Sequence, residues 1–189
     1  MTPHPAVILA GGLATRMGGN DKGLLPWRGG TLLGAVIARI APQVGLLALN
    51  ANGDPGRFAA FGLPVLPDPV PDNPGPLAGV LAAMDWAAAR GSRCVLTVPT
   101  DTPDLPADLV ARLAAADAGT GAMAAGTDGA LHPTVSLWPT SAAATLRAAL
   151  ARGDRRMRGF AESLGLVAVA FPEGDPDPFL NINRPGDLR

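Results

Sequence analysis

The feature that most narrows the fold is a short apolar run, Ala6–Ala10 (AVILA), that passes directly into a glycine-rich loop reaching Gly23. The run is too short for a helix and reads as a buried strand. Gly11, Gly12, Gly18 and Gly19 let the main chain bend sharply and approach a ligand closely. The N–H groups exposed in such a loop cradle phosphate oxygens. Arg16 and Lys22 add a planar fork and a compact point charge to the segment. No Gly-Lys-Ser/Thr follows, so this is not a Walker A loop, and the G-x-G-x-x-G dinucleotide pattern is also absent. The plainer reading is a glycine-rich turn with solvated basic residues.

The remaining chain alternates strand-like and helical patterns. Strands are expected at Gly45–Asn50, Leu63–Leu66, Arg93–Val98, Val167–Phe171 and Leu180–Ile182. Helices are expected at Leu32–Ile40, closed by Pro42, and at Leu77–Ala89, stopped by Gly91. Two more are expected at Pro106–Asp117, with Pro106 in the first turn, and at Ala142–Ala151, stopped by Gly153. Gly121–Gly126 and Thr134–Trp138 interrupt the alternation and suggest an antiparallel insertion. The pattern predicts a three-layer, Rossmann-like α/β fold with a mostly parallel sheet, as a single domain over residues 1–189. In such sheets ligands sit beyond the carboxyl ends of the strands.

Composition excludes some functions. With 15 Lys plus Arg against 16 Asp plus Glu, the chain lacks the positive surplus of a protein that coats nucleic acid. No apolar run is long enough to span a bilayer, and the N-terminus lacks the basic start of a signal peptide. One cysteine, Cys94, lies in an apolar run and reads as a buried small hydrophobe; a cytoplasmic location is expected. Aromatic residues are 4% of the chain, so stacking is not expected to dominate base recognition, and Trp27, Trp86 and Trp138 read as packing residues.

Several strand ends carry groups with chemistry of their own. Asp101 follows CVLTVPT between Pro99 and Pro103. A carboxylate there either coordinates Mg²⁺ beside phosphates or caps a turn. Lys22 either offsets charge on a transferring phosphoryl group or is a solvated lysine paired with its neighbour Asp21. Asp68 ends LPVLPD, and its carboxylate matches the adjacent N1–H and N2 donors of guanine, or it is a turn aspartate before Pro69. Asn50 either bonds the base or ribose or caps its strand. Gly75–Gly79 opens a helix whose free N–H groups meet an anion, or whose glycines allow close packing. His132, before Pro133, reads as structural rather than catalytic. Arg155, Arg156 and Arg158 form either a solvated basic cluster or a docking patch for a phosphorylated substrate.

L-A-G-G-x-x-x-R-M-G-G-x-D-K-G, from Leu9 to Gly23, is similar to the signature of the molybdenum cofactor guanylyltransferase family. The resemblance continues through Asn50-Ala51-Asn52, Asp68, Gly75-Pro76-Leu77-Ala78-Gly79, Pro99-Thr100-Asp101-Thr102-Pro103, His132-Pro133-Thr134 and Asn181-Ile182-Asn183-Arg184-Pro185. It implies a Mg²⁺-dependent transfer of GMP from GTP to molybdopterin. Lys22, Arg16 and Asp101 would be catalytic, with Asp101 the metal ligand. GTP would contact Leu9, Ala10, Gly11, Gly12, Lys22, Asn50, Asp68 and Asp101, and Asn183 would support the metal. Molybdoenzymes or cofactor-delivery proteins are the implied protein partners. A cytidylyltransferase for the same or another phosphorylated acceptor is the nearest alternative. A non-catalytic nucleotide sensor fits poorly with Lys22 and Asp101 both being present.

Overall fold

The computed structural model describes residues 4–11, 21–70, 75–172, 174 and 177–182. Arg16, Gly12, Gly18, Gly19, Asn183, Arg184 and Pro185 lie outside them. Nine strands and five helices follow one another as β1 (Pro5–Leu9), β2 (Pro26–Trp27), β3 (Gly30–Thr31), α1 (Leu32–Ile40), β4 (Leu46–Asn50), β5 (Val65–Leu66), α2 (Pro76–Ala88), β6 (Cys94–Pro99), α3 (Leu109–Ala116), β7 (Ala122–Ala125), β8 (Leu131–Pro139), α4 (Ala143–Ala151), α5 (Met157–Ser163) and β9 (Val167–Ala170) among the described residues. A seven-stranded sheet has the order β5-β4-β1-β6-β8-β7-β9, and β2–β3 is a separate hairpin. The expected mixed, mostly parallel sheet is therefore present. Only β8 runs against the others, since β7 is antiparallel to β8 but parallel to β9.

Period-two alternation along each strand builds two cores. Ala6 and Ile8 of β1 pack with α1 and α3 through Leu33, Val36, Leu109 and Leu113. Val7 and Leu9 face the opposite layer, with Leu77, Leu81 and Met84 of α2, Leu146 of α4 and Phe160 of α5. The chain winds outward from β1 through β4 to β5, then returns to place β6 on the other flank of β1. That reversal is the topological switch point, where open α/β sheets bind ligands.

Besides the β2–β3 hairpin, which the sequence did not suggest, three elements differ from the sequence expectation. α3 starts at Leu109, not Pro106, and the Pro106 carbonyl instead accepts from Leu109 N (3.3 Å) and Gln43 Nε2 (2.9 Å). Gln43 Oε1 accepts from Val110 N at 3.1 Å, so a side chain from beyond α1 caps the helix. Leu180–Ile182 is not a strand. Phe179 and Ile182, three apart, are buried, while Leu180 and Asn181 are exposed, which is turn spacing rather than strand alternation. α5 was not anticipated, although Met157, Phe160 and Ala161 form its buried stripe.

Candidate functional site

Strand register assembles the site. Leu9 is level with Asn50 and with Pro99, and Asn50 is level with Leu66. The residues just past this row, Ala10 and Gly11, Ala51 and Asn52, Asp68, and Thr100 and Asp101, therefore form one continuous rim. Asp68 and Asp101 follow strands three spacings apart, roughly 14 Å. The rim can thus hold a base at one end and phosphates at the other.

At the β6 end, Lys22 Nζ lies 2.6 Å from Asp101 Oδ2, and the side chains keep only 17% and 21% of their exposure. Lys22 opens a single 3-10 turn, Lys22–Leu24. Gly23 makes the approach possible: a Cβ there would stand 3.3 Å from both Leu33 Cβ and Thr100 Cγ2. Asp21 does not pair with Lys22 as the sequence allowed. Its Oδ2 lies 2.6 Å from Arg57 Nε, a contact that is a close ion pair without an aligned hydrogen bond. The Asp101 carbonyl accepts from Ile182 N at 2.9 Å.

At the β5 end, the Asp68 carboxylate is held from both sides. Asn50 Nδ2 donates to Oδ1 at 2.9 Å, and Asn52 Nδ2 donates to Oδ2 at 2.7 Å. Asn52 Oδ1 in turn accepts from Asp68 N at 2.8 Å. Asn50 is only 4% exposed and also donates to Leu66 O at 3.1 Å. It acts here as a clamp on β5 and Asp68. Gly79 of α2 presses on it, because a Cβ at that position would stand 2.2 Å from Asn50 Oδ1. For Gly79, close packing is thus visible. Gly75 caps α2 at φ +83°, a left-handed conformation suited to glycine, with Pro76 in the first turn.

Other singled-out residues have local partners. His132 is half-buried and stacks on Phe179, with ring centroids 4.4 Å apart. Burial lowers its pKa below the usual histidine value, against the opposing charges of Asp177 and Asp128. Arg155 donates to the Leu150 and Asp154 carbonyls, and Arg158 pairs with Glu162 at 2.7 Å. Trp27, Trp86 and Trp138 are buried, as is Cys94, whose Sγ lies 3.6 Å from Asp117 Oδ2. A cavity of about 320 Å³ between the β2–β3 hairpin, α1 and Pro103–Asp104 is lined by neither Asp101 nor Asp68. Sequence reading quoted Asn52 only as part of the Asn50-Ala51-Asn52 motif, without a role, and missed Arg57.

Among the described residues no group of three His, Cys, Asp or Glu side chains could hold a metal. A single carboxylate facing phosphates nevertheless suits Mg²⁺, which takes one or two protein carboxylates and completes its shell with phosphate oxygens and water. No described helix is long and apolar enough to cross a membrane.

The chain is similar to known proteins over nearly its whole length. The MobA-like NTP transferase domain family matches residues 6–168. A molybdenum cofactor guanylyltransferase of Acidiphilium cryptum is 51% identical over 97% of this chain and 91% of its own. One from Rhodopseudomonas palustris is 50% identical over 97% of this chain and 90% of its own. Among solved structures, molybdopterin-guanine dinucleotide biosynthesis protein A from Archaeoglobus fulgidus superposes with a TM-score of 0.71 at 21% identity, covering 97% of this chain and 94% of that one. A Mycobacterium tuberculosis protein solved in complex with manganese gives 0.66 at 19% identity, covering 98% and 96%.

Proposed function

The chain belongs to the molybdenum cofactor guanylyltransferase family, and from that membership we propose how its strand-end rim divides the work. The enzyme transfers GMP from GTP to the phosphate of Mo-molybdopterin, giving molybdopterin guanine dinucleotide and pyrophosphate. An acceptor phosphate oxygen bonds to the α-phosphorus, and the bond to the leaving pyrophosphate breaks. No covalent enzyme intermediate is needed, so catalysis is positioning plus charge stabilisation.

The observation that carries the assignment is the Lys22–Asp101 pair. Residues 79 apart in sequence meet at 2.6 Å beside the switch point. Lys22 holds a phosphate oxygen as negative charge develops, and Arg16 adds positive charge from the same loop. Asp101 is the carboxylate that holds Mg²⁺, which would offset charge on the phosphates when bound. A fold relative solved with manganese supports a divalent ion in this architecture. Leu9, Ala10, Gly11 and Gly12 line the nucleotide, and Asp68 meets the guanine edge with Asn50 behind it. Asn50 and Asn52 each take one Asp68 oxygen, leaving further lone pairs on that carboxylate for the base. The domain works in the cytoplasm, where its lone cysteine stays reduced, and hands its product to a molybdoenzyme or a delivery protein.

Asp101→Asn keeps the side-chain size and removes the charge. Turnover of this variant is expected to fall on the order of 10²-fold with the fold intact. Near-normal Mg²⁺-dependent turnover would overturn the assignment. Lys22→Ala is expected to lower kcat more than it raises KM for GTP, because the contact strengthens in the transition state. A raised KM at unchanged kcat would restrict Lys22 to ground-state binding.

A further inference from the structure

His132 is a titratable, half-buried group that the reaction described above does not use. Its placement is costly to arrange. On β8 the pairing slips: Met123 is level with Ser136, but the next residue, Ala124, is level with His132. Residues 133–135 are therefore extra on β8, and Pro133, which cannot donate to a ladder, sits within this bulge. The bulge is locked. Ser136 Oγ donates to Pro133 O at 2.9 Å, and Thr97 Oγ1 donates to Thr134 O at 3.0 Å. Thr97 Oγ1 also accepts from buried Trp138 Nε1 at 2.8 Å. Bulges of this kind re-aim a side chain beside a working site.

The ring so aimed meets one partner face to face. His132 and Phe179 stack with centroids 4.4 Å apart and planes 19° from parallel, and Phe171 meets Phe179 in a T-shaped contact at 5.5 Å. Phe179 anchors a short strap, residues 177–182. Phe179 N donates to Asp177 Oδ1 at 2.9 Å, and Leu180 N donates to Asp177 O at 3.1 Å. The strap reaches Ile182, which is 2% exposed and packs with Trp27 and Leu32. Its N–H donates to Asp101 O at 2.9 Å. Asp101 is thereby held twice, through its carboxylate by Lys22 and through its main chain by the strap.

We propose that His132 is a positioning residue for Asp101, acting through the Phe179 stack and the Ile182-to-Asp101 hydrogen bond. The inference rests on the reading of Asp101 as the metal carboxylate. His132 supplies a flat face here and transfers no proton, so an aromatic replacement does the same work. Direct hydrogen-bond partners of a metal ligand change metal affinity by about 10–100-fold when lost, and His132, acting on such a partner through Phe179, is expected at the low end.

The test compares His132→Ala, His132→Phe and Asp101→Asn, each as the full chain. Mn²⁺ binding is measured in the presence of GTP by water-proton relaxation, which needs no turnover, and kcat and KM for GTP are measured separately. His132→Ala is expected to weaken Mn²⁺ about 10-fold and to lower kcat, with KM for GTP nearly unchanged. His132→Phe is expected to restore both. Should His132→Ala fail to fold, Phe179→Leu removes the stack from the other side and carries the same expectation. Wild-type Mn²⁺ binding in the His132→Ala or Phe179→Leu protein overturns the proposal, as does failure of His132→Phe to restore it. If Asp101→Asn itself binds Mn²⁺ normally, the metal reading of Asp101 fails and the role of His132 with it. If only Asp101→Asn is impaired, that reading stands and the strap alone is refuted.

Discussion

Asp68 shows how a single residue can read as an ordinary turn aspartate and yet sit in a designed setting. Its two oxygens are gripped by Asn50 and Asn52, and its N–H is held by Asn52 as well. In the role proposed above for Asp68, the carboxylate is therefore fixed before the base arrives, which would cut the ordering cost of recognition. Asp68→Asn replaces an acceptor with a donor that faces both an asparagine amide and a guanine donor. A buried mismatch costs about 1–3 kcal/mol, and half-buried Asp68 is expected to fall at the lower end. The preference for GTP over ITP, which lacks the 2-amino group, is expected to shrink in kcat/KM. An unchanged ratio would move base selection to the main chain around Leu9–Gly11. The carboxylate itself was legible from its place after a predicted strand. The asparagine grip was only half legible, because Asn52 lies past the end of β4 and is brought to Asp68 by the β4–β5 pairing.

Among the elements, two helices carry glycines whose replacement by alanine should have opposite effects. Gly79 in α2 faces the site, and a Cβ would stand 2.2 Å from Asn50 Oδ1 and 2.9 Å from Leu9 Cδ2. Asn50 cannot yield cheaply, since moving it breaks its bonds to Leu66 O and Asp68. Gly79→Ala is expected to destabilise by about 1–3 kcal/mol, as overpacked cores do. Gly159 in α5 has only Arg156 Cβ near, at an ordinary 3.7 Å. Gly159→Ala is expected to stabilise by about 0.5–1 kcal/mol through helix propensity. Chemical denaturation of both variants checks the pair, and matching signs would refute the packing argument. α1 was legible from its apolar spacing and α2 from its unbroken Ala-rich run, with Pro42 and Gly91 closing them. The start of α3 was not, because its cap is Gln43, a residue 67 positions from Val110. Leu180–Ile182 resembled a strand because its apolar residues are dense, whereas its backbone turns at Asp177–Leu180 and Ile182 N donates to Asp101 O.

At the scale of the whole molecule, the parallel order of the sheet followed from the β-α alternation, and so did the antiparallel interruption. That only β8 reverses could not be read, since it depends on β7 rejoining the parallel set through β9. Global stability carries a pH signature from the core. Burial raises the Cys94 thiol from 9.0 to about 11, with the charge and hydrogen bond of Asp117 adding to the shift and Arg93 opposing it. Between those values the unfolded chain releases a proton that the folded chain keeps, so stability falls as pH rises through that window. The chain has no Tyr to titrate there. Urea midpoints on either side of the window are expected to drop in the wild type and to drop less in Cys94→Ala. Equal drops would assign the loss to other groups.

The Lys22–Asp101 pair has a consequence for how two ligands sense each other. In the structure each side chain neutralises the other at 2.6 Å, so a cation approaching Asp101 competes with Lys22, and an anion approaching Lys22 competes with Asp101. A triphosphate that draws Lys22 away removes the counter-charge from the carboxylate, and a cation that takes the carboxylate removes that counter-charge from the ammonium. The two binding events are therefore heterotropically linked with positive sign, and the coupling is reciprocal by thermodynamic necessity. GTP should tighten Mn²⁺ binding by the same factor by which Mn²⁺ tightens GTP beyond their direct association in solution, and Lys22→Ala should bring that excess factor towards one.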